Sequence, residues 1–394
     1  MLNVLQLIDS FIQGGTERQT VQLTRLLHES GRYRVHLACG NPDGPLRADL
    51  DRLGIGEIPS FPLTSFYDRN FVVQLRRLAR YLRERQIDII HTHDFYTNIF
   101  GMVGASFAGV SARVASKRET TGIRTAAQRL VERRAFSLAH AVVVNSEAVR
   151  RQLVAEGMRS KKITTVYNGL DISRIELSDG SSREETLASF VLPADQPLRF
   201  ITIVANLRHE VKDHRTFLRA ARRVRQDVPD SRFVIAGEGP LEQPMRLLAA
   251  ELGIGPDVFF TGPCKRVADL LSVSDVCVLS STAEGFSNSI LEYMAAARPV
   301  VATDVGGARE AVVDAQTGYI VAAGDEHAMA SRIIELLRNP EQARAMGMRG
   351  RELVAQKFSC EARLERTEEL YEQLLARRRA PMRRDVHAVV HEDT

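Results

Sequence analysis

The amino-acid sequence predicts an α/β protein with two doubly wound domains. Short apolar runs alternate with amphipathic helical stretches along the chain, which is the pattern of parallel βαβ units. The length of 394 residues exceeds what one hydrophobic core usually supports. A hydrophobic fraction of 44% with 26% charged residues is typical of a globular protein, which we expect to fold without metals or disulfides.

The strand candidates divide into two sets. The first set is LNVLQLI, YRVHLACG, IDIIHTH, ARVASK, AVVVNS and ITTVYNG. The second set is RFITIVANL, RFVIAGEG, VFFTGP, VCVLSS, PVVATDV and GYIVAA. Because Asn168 and Gly169 form a turn signal after the first set, we place one domain at residues 1–171 and the other at 172–360.

The C-terminal region is predicted to contain one more helix and a tail. Residues 361–377 place several leucines and Tyr371 on one stripe, and this stripe alone allows packing on either domain. Residues 378–394 are polar and charged, so we expect a mobile tail.

Cysteine usage and the apolar segments favour a cytoplasmic protein. The four cysteines are far apart in the sequence and lack zinc-type spacing. The opening segment MLNVLQLIDSF lacks Lys and Arg, which favours a first strand over a signal peptide. Apolar runs in this sequence are all shorter than the roughly 18 residues of a membrane span.

Arginine clusters occur at 75–86, 116–134 and 376–384, although the net charge is only +4. Solvated helix faces explain such clusters in the simplest way. The alternative is peripheral binding to an anionic membrane surface, in which each well-placed basic residue contributes about 1 kcal/mol of binding free energy. Nucleic acid is not an expected partner, because the arginines lack interleaved aromatic residues and a recognised nucleic-acid motif.

The segment AEGFSNSILEYMAAARPVVATDVGG contains two glutamates, Glu284 and Glu292, eight residues apart. On one continuous helix they would differ by roughly 80° of rotation and would not share a face. We therefore expect Glu284 on a loop after the strand VCVLSS and Glu292 within a helix. A strand, a glycine turn and a helix aim backbone N–H groups at an anion such as a phosphate.

Glycines, cations and a histidine follow other predicted strands. Gly15 precedes an amphipathic helix, either as a plain turn or to let a ligand approach the backbone. Arg208 and Lys212 lie in a strand-to-helix loop, where they are either solvated or neutralise a diphosphate. His93 ends the strand IDIIHTH and is either packed or hydrogen-bonded to a substrate hydroxyl or phosphate.

Together these segments supply what a nucleotide-sugar site needs: amides and cations for a diphosphate, and carboxylates for hydroxyls. The loop GPCKRVADLLSVSD, with Cys264 and Val267, is predicted to contact the base. The dinucleotide fingerprint Gly-x-Gly-x-x-Gly is absent from the sequence, which disfavours a nicotinamide or flavin enzyme.

A series of segments resembles the glycosyltransferases of family 4 (glycosyl transferases group 1). The segments are GGTERQ, DIIHTHDF, VVNSEAVRRQL, KITTVYNGLD, VANLRHEVKDH, FVIAGEGPL, LGIGPDVFFTGP, SDVCVLSSTAEGFSNSILEYMAAARPVVATDVGGARE and TGYIVAAGD. The resemblance covers nearly all of the chain up to the final helix, and the Glu-x7-Glu block is its most specific part. It implies the GT-B fold, in which two Rossmann-like domains face each other across a cleft and the last helix returns to the first domain.

The resemblance also implies roles for individual residues. Arg208 and Lys212 would bind the donor diphosphate, and so would the helix-start amides of Ser287, Asn288 and Ser289. Many relatives have glycine or proline where Ser287 stands, and the spacing between Arg208 and Lys212 varies in the family.

The remaining implied contacts concern the sugar and the ribose. Glu292 would hold the ribose hydroxyls, and Glu284 with the Gly285-Phe286 backbone would hold the donor sugar. Gly15 would let the diphosphate approach the N-terminal domain, and His93 would lie near the transferred sugar. His93 and Glu284 are thus the candidate catalytic residues.

The resemblance implies retaining transfer of a sugar from a UDP- or GDP-sugar to an acceptor hydroxyl, without a metal or other cofactor. We expect a role in cell-surface polysaccharide or glycolipid assembly, a sugar or lipid-linked acceptor, and a location in the cytoplasm or on the inner face of the membrane. The alternative is a nucleotide-sugar epimerase on the same scaffold, since a fold does not fix a function.

Overall fold

The computed structural model describes residues 1–120, 125–175, 182–194 and 196–379. Most of the predicted tail 378–394, part of each of the arginine clusters 116–134 and 376–384, and part of the segment after Asp171 lie outside the described residues.

The N-terminal half alternates parallel strands with helices. Its strands are β1 (Leu2–Ile8), β2 (Tyr33–Cys39), β3 (Ile89–Thr92), β4 (Ala112–Lys117), β5 (Ala141–Val144) and β6 (Ile163–Thr165). Its helices are α1 (Gly15–Glu29), α2 (Arg47–Asp51), α3 (Arg69–Glu84), α4 (Phe95–Ala108), α5 (Ala126–Leu138) and α6 (Glu147–Ala155).

The C-terminal half repeats the alternation. Its strands are β7 (Arg199–Val204), β8 (Ser231–Ala236), β9 (Val258–Gly262), β10 (Val276–Leu279), β11 (Val300–Thr303) and β12 (Gly318–Val321). Its helices are α7 (Arg183–Ser189), α8 (His214–Asp227), α9 (Glu242–Glu251), α10 (Val267–Ser272), α11 (Asn288–Ala295), α12 (Ala308–Ala311), α13 (Glu326–Arg338), α14 (Pro340–Lys357) and α15 (Cys360–Arg379).

The two sheets have different strand orders. The first runs β2-β1-β3-β4-β5-β6 and the second runs β12-β11-β10-β7-β8-β9, each with parallel pairing. The chain therefore changes winding direction between β1 and β3 in the first sheet, and between β7 and β10 in the second. The prediction of two doubly wound α/β domains is confirmed, and every predicted strand segment contains a strand.

Burial on both faces explains why these strands read as nearly continuous apolar runs. In β5 and β10 every residue is buried. Helices cover both faces, so separate apolar clusters form on the two sides of each sheet. The final helix α15 packs on the first sheet, where Leu370, Tyr371 and Leu374 join a cluster that contains Val4 and Val114.

Candidate functional site

The candidate site lies where the winding reverses in the two sheets. Open α/β sheets bind ligands outside the carboxyl ends of their strands at such switch points. In the first sheet His93 follows β3, and Gly15 begins the helix after β1. In the second sheet Lys212 lies after β7 and Glu284 lies after β10. The fold thus brings together residues that are far apart in the sequence.

Lys212 and Glu284 form an ion pair in the second domain. The distance from Lys212 Nζ to Glu284 Oε1 is 2.6 Å, and the two side chains are only 23% and 14% exposed. Ser281 Oγ also donates to Glu284 Oε1, at 2.8 Å. Next to Lys212, Asp213 has a left-handed φ of 45° and caps α8 by accepting from the Thr216 amide. This unusual backbone fixes the end of the loop that carries Lys212.

Arg208 lies at the exposed rim of the same loop. Its guanidinium Nη2 is 2.9 Å from Glu238 Oε1, and both side chains are about half exposed, at 51% and 54%. An exposed pair of this kind is weak, so Arg208 is available to a ligand at little energetic cost. The structure therefore distinguishes a partly buried cation, Lys212, from a surface cation, Arg208.

Two helix N-termini converge at the cleft. Neither α1, which begins at Gly15, nor α11, which begins at Asn288 after Ser287, has a side-chain cap at its N-terminus. A Cβ atom added at Gly15 would lie 3.5 Å from Asn288 Nδ2. Because both helices direct N–H groups and a positive dipole end to this region, it suits an anionic diphosphate. The Ser289 side chain instead donates to the Val204 carbonyl at 2.8 Å.

The Gly285-Phe286 pair contacts the first domain directly. A Cβ atom at Gly285 would lie 2.0 Å from the Arg118 carbonyl oxygen, so only glycine fits there. The Phe286 side chain is buried against Tyr167 and Phe358, with ring centroids 5.3 Å from each. The ring of Phe286 is therefore part of the core between the domains, which leaves its backbone for a ligand.

A cavity of about 330 Å³ lies between the domains and contains the predicted ribose and base contacts. Glu292, Cys264 and Val267 line it from the second domain, and Arg18 and Gln22 line it from the first. Burial raises the pKa of Glu292 to about 7, against the opposing charge of Arg18. A carboxylate beside an apolar wall is a suitable acceptor for the hydroxyls of a ribose.

His93 is buried and electrically neutral. Its ring stacks on that of His91 with centroids 4.3 Å apart, and burial, reinforced by the charges of His91, Arg118 and Arg363, lowers its pKa well below the usual value. Its Nε2 is 2.6 Å from Gln6 Oε1, so Nε2 carries the proton. The Nδ1 atom is a buried acceptor that has no partner among the described residues.

Asp9 and Asp94 are carboxylates that the sequence analysis did not assign to the site. Asp94 caps α4 through Thr97, and the Asp9 amide donates to Asp94 Oδ2 at 3.1 Å. Burial, with a smaller contribution from the charge of nearby Asp9, raises the pKa of Asp94 to about 7. The position of Asp94, two residues after the end of β3, was the available signal.

Arg118 and Asn168 are two further residues at the site that the sequence analysis did not predict there. Arg118 Nη1 donates to Asn168 Oδ1 at 2.9 Å, and Asn168 Nδ2 donates to Asn288 Oδ1 at 2.8 Å. Burial lowers the pKa of Arg118 to about 10. This chain of contacts joins the end of β4, the turn between the domains and the start of α11. Arg118 follows a strand directly, and that position could have marked it.

Glu310 connects the domains at a second point. From α12 its two carboxylate oxygens accept the backbone amides of Glu147 and Ala148, at 2.7 and 2.8 Å. It therefore caps the N-terminus of α6 in the other domain. Two residues before α12, Gly306 packs on the Glu284 carbonyl, so this cap is attached to the loop that carries Glu284.

The described residues contain no group of three or more His, Cys, Asp or Glu side chains placed to hold a metal ion. Among the helices described, none combines the length and the apolar character that crossing a membrane requires.

Two family models match the chain, one in each domain. The family described as Glycosyltransferase Family 4 matches residues 13–174, and the family described as Glycosyl transferases group 1 matches residues 184–353. Together they span both switch points and every residue that the sequence analysis assigned to the site.

Curated relatives match over part of their length. N-acetyl-alpha-D-glucosaminyl L-malate synthase of Bacillus anthracis is 32% identical over 216 residues, which are 55% of each chain. D-inositol 3-phosphate glycosyltransferase of Corynebacterium urealyticum is 31% identical over 259 residues, which are 63% of this chain and 60% of the relative. The chain thus spans little more than half the length of these relatives.

Solved structures are similar over nearly the whole chain. The Anabaena protein Alr3699/HepE, determined in complex with UDP, superposes with a TM-score of 0.81 at 19% identity. The superposition covers 94% of this chain and 100% of the Anabaena chain. At this identity the likeness establishes the two-domain GT-B fold.

Proposed function

The chain belongs to the group 1 glycosyltransferases with the GT-B fold, and on that premise we propose that it transfers a sugar from a nucleotide diphosphate donor to an acceptor hydroxyl. The observation that carries the proposal is the partly buried Lys212–Glu284 pair beside the converging starts of α1 and α11. That arrangement offers cation, amides and carboxylate along the length of a nucleotide sugar.

Donor binding is proposed to rearrange the pair. The diphosphate replaces Glu284 as the partner of Lys212, and Arg208 leaves Glu238 to join it. Glu284 then accepts hydroxyl groups of the sugar, while Glu292 accepts those of the ribose in the neighbouring cavity. The donor of this reaction is proposed to be a UDP- or GDP-sugar, and the bound UDP of the Anabaena structure supports a nucleotide site in this fold.

The reaction is proposed to retain the configuration of the sugar. The bond between the anomeric carbon and the diphosphate oxygen breaks, the acceptor oxygen bonds to the anomeric carbon on the same face, and the diphosphate accepts the acceptor proton. Lys212 and the amides of α1 and α11 stabilise the charge that develops on the leaving group, so we propose that no metal is needed. Neutral His93 offers Nδ1 as an acceptor for a hydroxyl group.

A lipid-linked or other amphiphilic acceptor is proposed from the basic surface of the first domain, in the assembly of a cell-surface polysaccharide or glycolipid. Helix α3 exposes Arg76, Arg80 and Arg83. Such a surface fits a peripheral position on the anionic inner face of a membrane. The protein should co-sediment with anionic liposomes at low salt. If it stays in the supernatant, the proposal of peripheral membrane binding fails.

The test of the reaction is turnover of a panel of UDP- and GDP-sugars by purified protein, with Glu284→Ala and Arg208→Ala as variants. We expect release of the nucleoside diphosphate, strong loss of turnover in Glu284→Ala and a smaller loss in Arg208→Ala. Full activity of both variants would overturn the assignment of the site. An isomerised nucleotide sugar formed without acceptor would favour an epimerase.

A further inference from the structure

The N-terminal domain contains a second cavity, separate from the one beside Glu292. Its volume is about 570 Å³, and it lies at the carboxyl ends of β1 and β2, against the start of α4. A segment that pairs with Cys39 closes it, since the Phe61 amide donates to the Cys39 carbonyl at 2.8 Å. The volume is within the range of small-molecule sites.

Aromatic side chains form much of the wall of this cavity. Phe61, Phe66, Tyr96 and Phe100 line it. The rings of Phe66 and Tyr96 stack at 5.8 Å with an interplanar angle of 12°, and those of Phe61 and Phe100 lie 5.9 Å apart. Tyr96 is nevertheless 48% exposed. Ring pairs hold these side chains in place while part of their surface faces solvent, which is typical of a preformed apolar binding site.

The cavity is adjacent to the proposed reaction site. Asp9 and Thr97 line it, and both hydrogen-bond to Asp94, the residue after His93. A ligand whose apolar part fills the cavity would therefore place its polar end beside the switch point of the first sheet. The reacting hydroxyl of an acceptor is required at that position.

Helix α3, which contacts the cavity wall through Arg77, is rich in cations. Helix α3 begins three residues after the lining segment ends at Phe66, and exposes Arg69, Arg76 and Arg80. Of these three arginines none has a carboxylate partner among the described residues. Arg77 of the same helix lies 5.7 Å from the centroid of the Phe61 ring. An apolar cavity whose wall contacts a cationic helix is complementary to an anionic amphiphile.

We propose that this cavity binds the apolar chain of a lipid acceptor whose sugar is attached through a phosphate or diphosphate. The inference rests on the proposed function, because it assigns the acceptor of that reaction. The chain occupies the aromatic cavity, the phosphate faces the arginines of α3, and the sugar extends past Asp9 toward His93.

The test uses farnesyl phosphate, a short isoprenoid phosphate, as a probe of the full-length protein. Titration calorimetry below the aggregation concentration of the probe should show binding to the parent. We expect Tyr96→Asp to weaken it at least tenfold, because a carboxylate enters the apolar wall. Tyr96 is half exposed, so this variant should fold. The matched control is Leu247→Asp, in which a side chain 56% exposed on α9 of the other domain is changed and binding should stay as in the parent.

Two further measurements separate the possible outcomes. Equal binding by the parent and Tyr96→Asp, or no binding by the parent, would overturn the inference. Hydrolysis of donor nucleotide sugar is measured in the same samples, since it depends on the second domain. If donor is hydrolysed but farnesyl phosphate is not bound, the inference fails alone. If farnesyl phosphate is bound but no donor is used, the proposed function fails. Stronger binding of free glucose than of farnesyl phosphate would indicate a sugar pocket instead.

Discussion

The two switch points that face each other across the cleft have the same architectural origin and different chemistry. The second domain contributes a lysine, a carboxylate paired with it, and the uncapped start of α11. The first domain contributes a neutral histidine, the Asp94 carboxylate that accepts from the Asp9 backbone amide, and an aromatic cavity. Winding reversal thus determines where a ligand binds, while the residues that end each strand determine which ligand binds.

Loss of the buried cation should have the largest effect. In Lys212→Met we expect kcat/KM for the nucleotide sugar to fall about a thousandfold, because a preorganised charge at the leaving group is removed. Steady-state kinetics with a saturating acceptor measures it. Arg215→Met is the matched control, since Arg215 is a neighbouring cation that is 43% exposed and contacts Glu210. A similar loss in both variants would show that overall charge, and not position, is responsible.

The contact between the domains at Gly285 should be next in size. The added methyl group in Gly285→Ala would collide with the Arg118 carbonyl at 2.0 Å and separate the two switch points. We expect about a hundredfold loss of kcat/KM, as for other misplacements of about 1 Å. Gly255→Ala, whose added Cβ would make an ordinary contact of 3.5 Å with Ala250, should keep the parent activity. Full activity in Gly285→Ala would mean that catalysis does not require the close contact between Gly285 and the Arg118 carbonyl.

Removal of the Glu310 cap should have a smaller effect. The two amides at the start of α6 would lose their acceptor in Glu310→Ala. A lost helix cap costs about 1 kcal/mol, so we expect a loss of about fivefold to tenfold in kcat/KM. Nucleotide affinity, which depends on the second domain, should change little. Calorimetry with UDP or GDP tests this separation, and Glu341→Ala on the exposed start of α14 serves as the control.

The pH dependence of donor binding should be the smallest of the four effects. With a pKa of about 7, Glu292 is protonated below this pH and ionised above it. Only the carboxylate accepts two hydroxyls, so donor affinity should increase about fivefold between pH 6 and pH 8. The diphosphate of a nucleotide sugar is esterified at both ends and does not titrate in this range. The increase should be absent in Glu292→Gln, and its persistence there would assign it to another group.

The same pKa gives an expectation for stability. Because the pKa of Glu292 is higher in the folded protein than the ordinary 4.5, the fold loses stability as the pH rises from 4.5 through 7. Glu292→Gln removes this loss, so at pH 8 it should be more stable than the parent while binding donor less well. Thermal unfolding at pH 5 and pH 8 distinguishes this variant from one that is simply damaged.

Much of the fold could be predicted because its signals are local. The short β-branched runs predicted strands that the sheets contain, and the eight-residue offset predicted Glu284 on a loop and Glu292 in a helix, where the structure places them. His93 and Lys212 were likewise predicted from their positions after apolar strand segments. The direct Lys212–Glu284 pair could not be predicted, because 72 residues separate the partners and no local rule links them.

Local sequence signals suffice to predict the α/β class, the two domains and the strand-end residues, since helix and strand periods and turn residues act over a few positions. Tertiary structure alone decided the strand orders, the burial that raises the pKa of Glu292, the cap of α6 by Glu310 and the aromatic cavity beside Asp9. Each of these depends on contacts between segments that are distant in the sequence, and no local pattern of residues specifies such contacts.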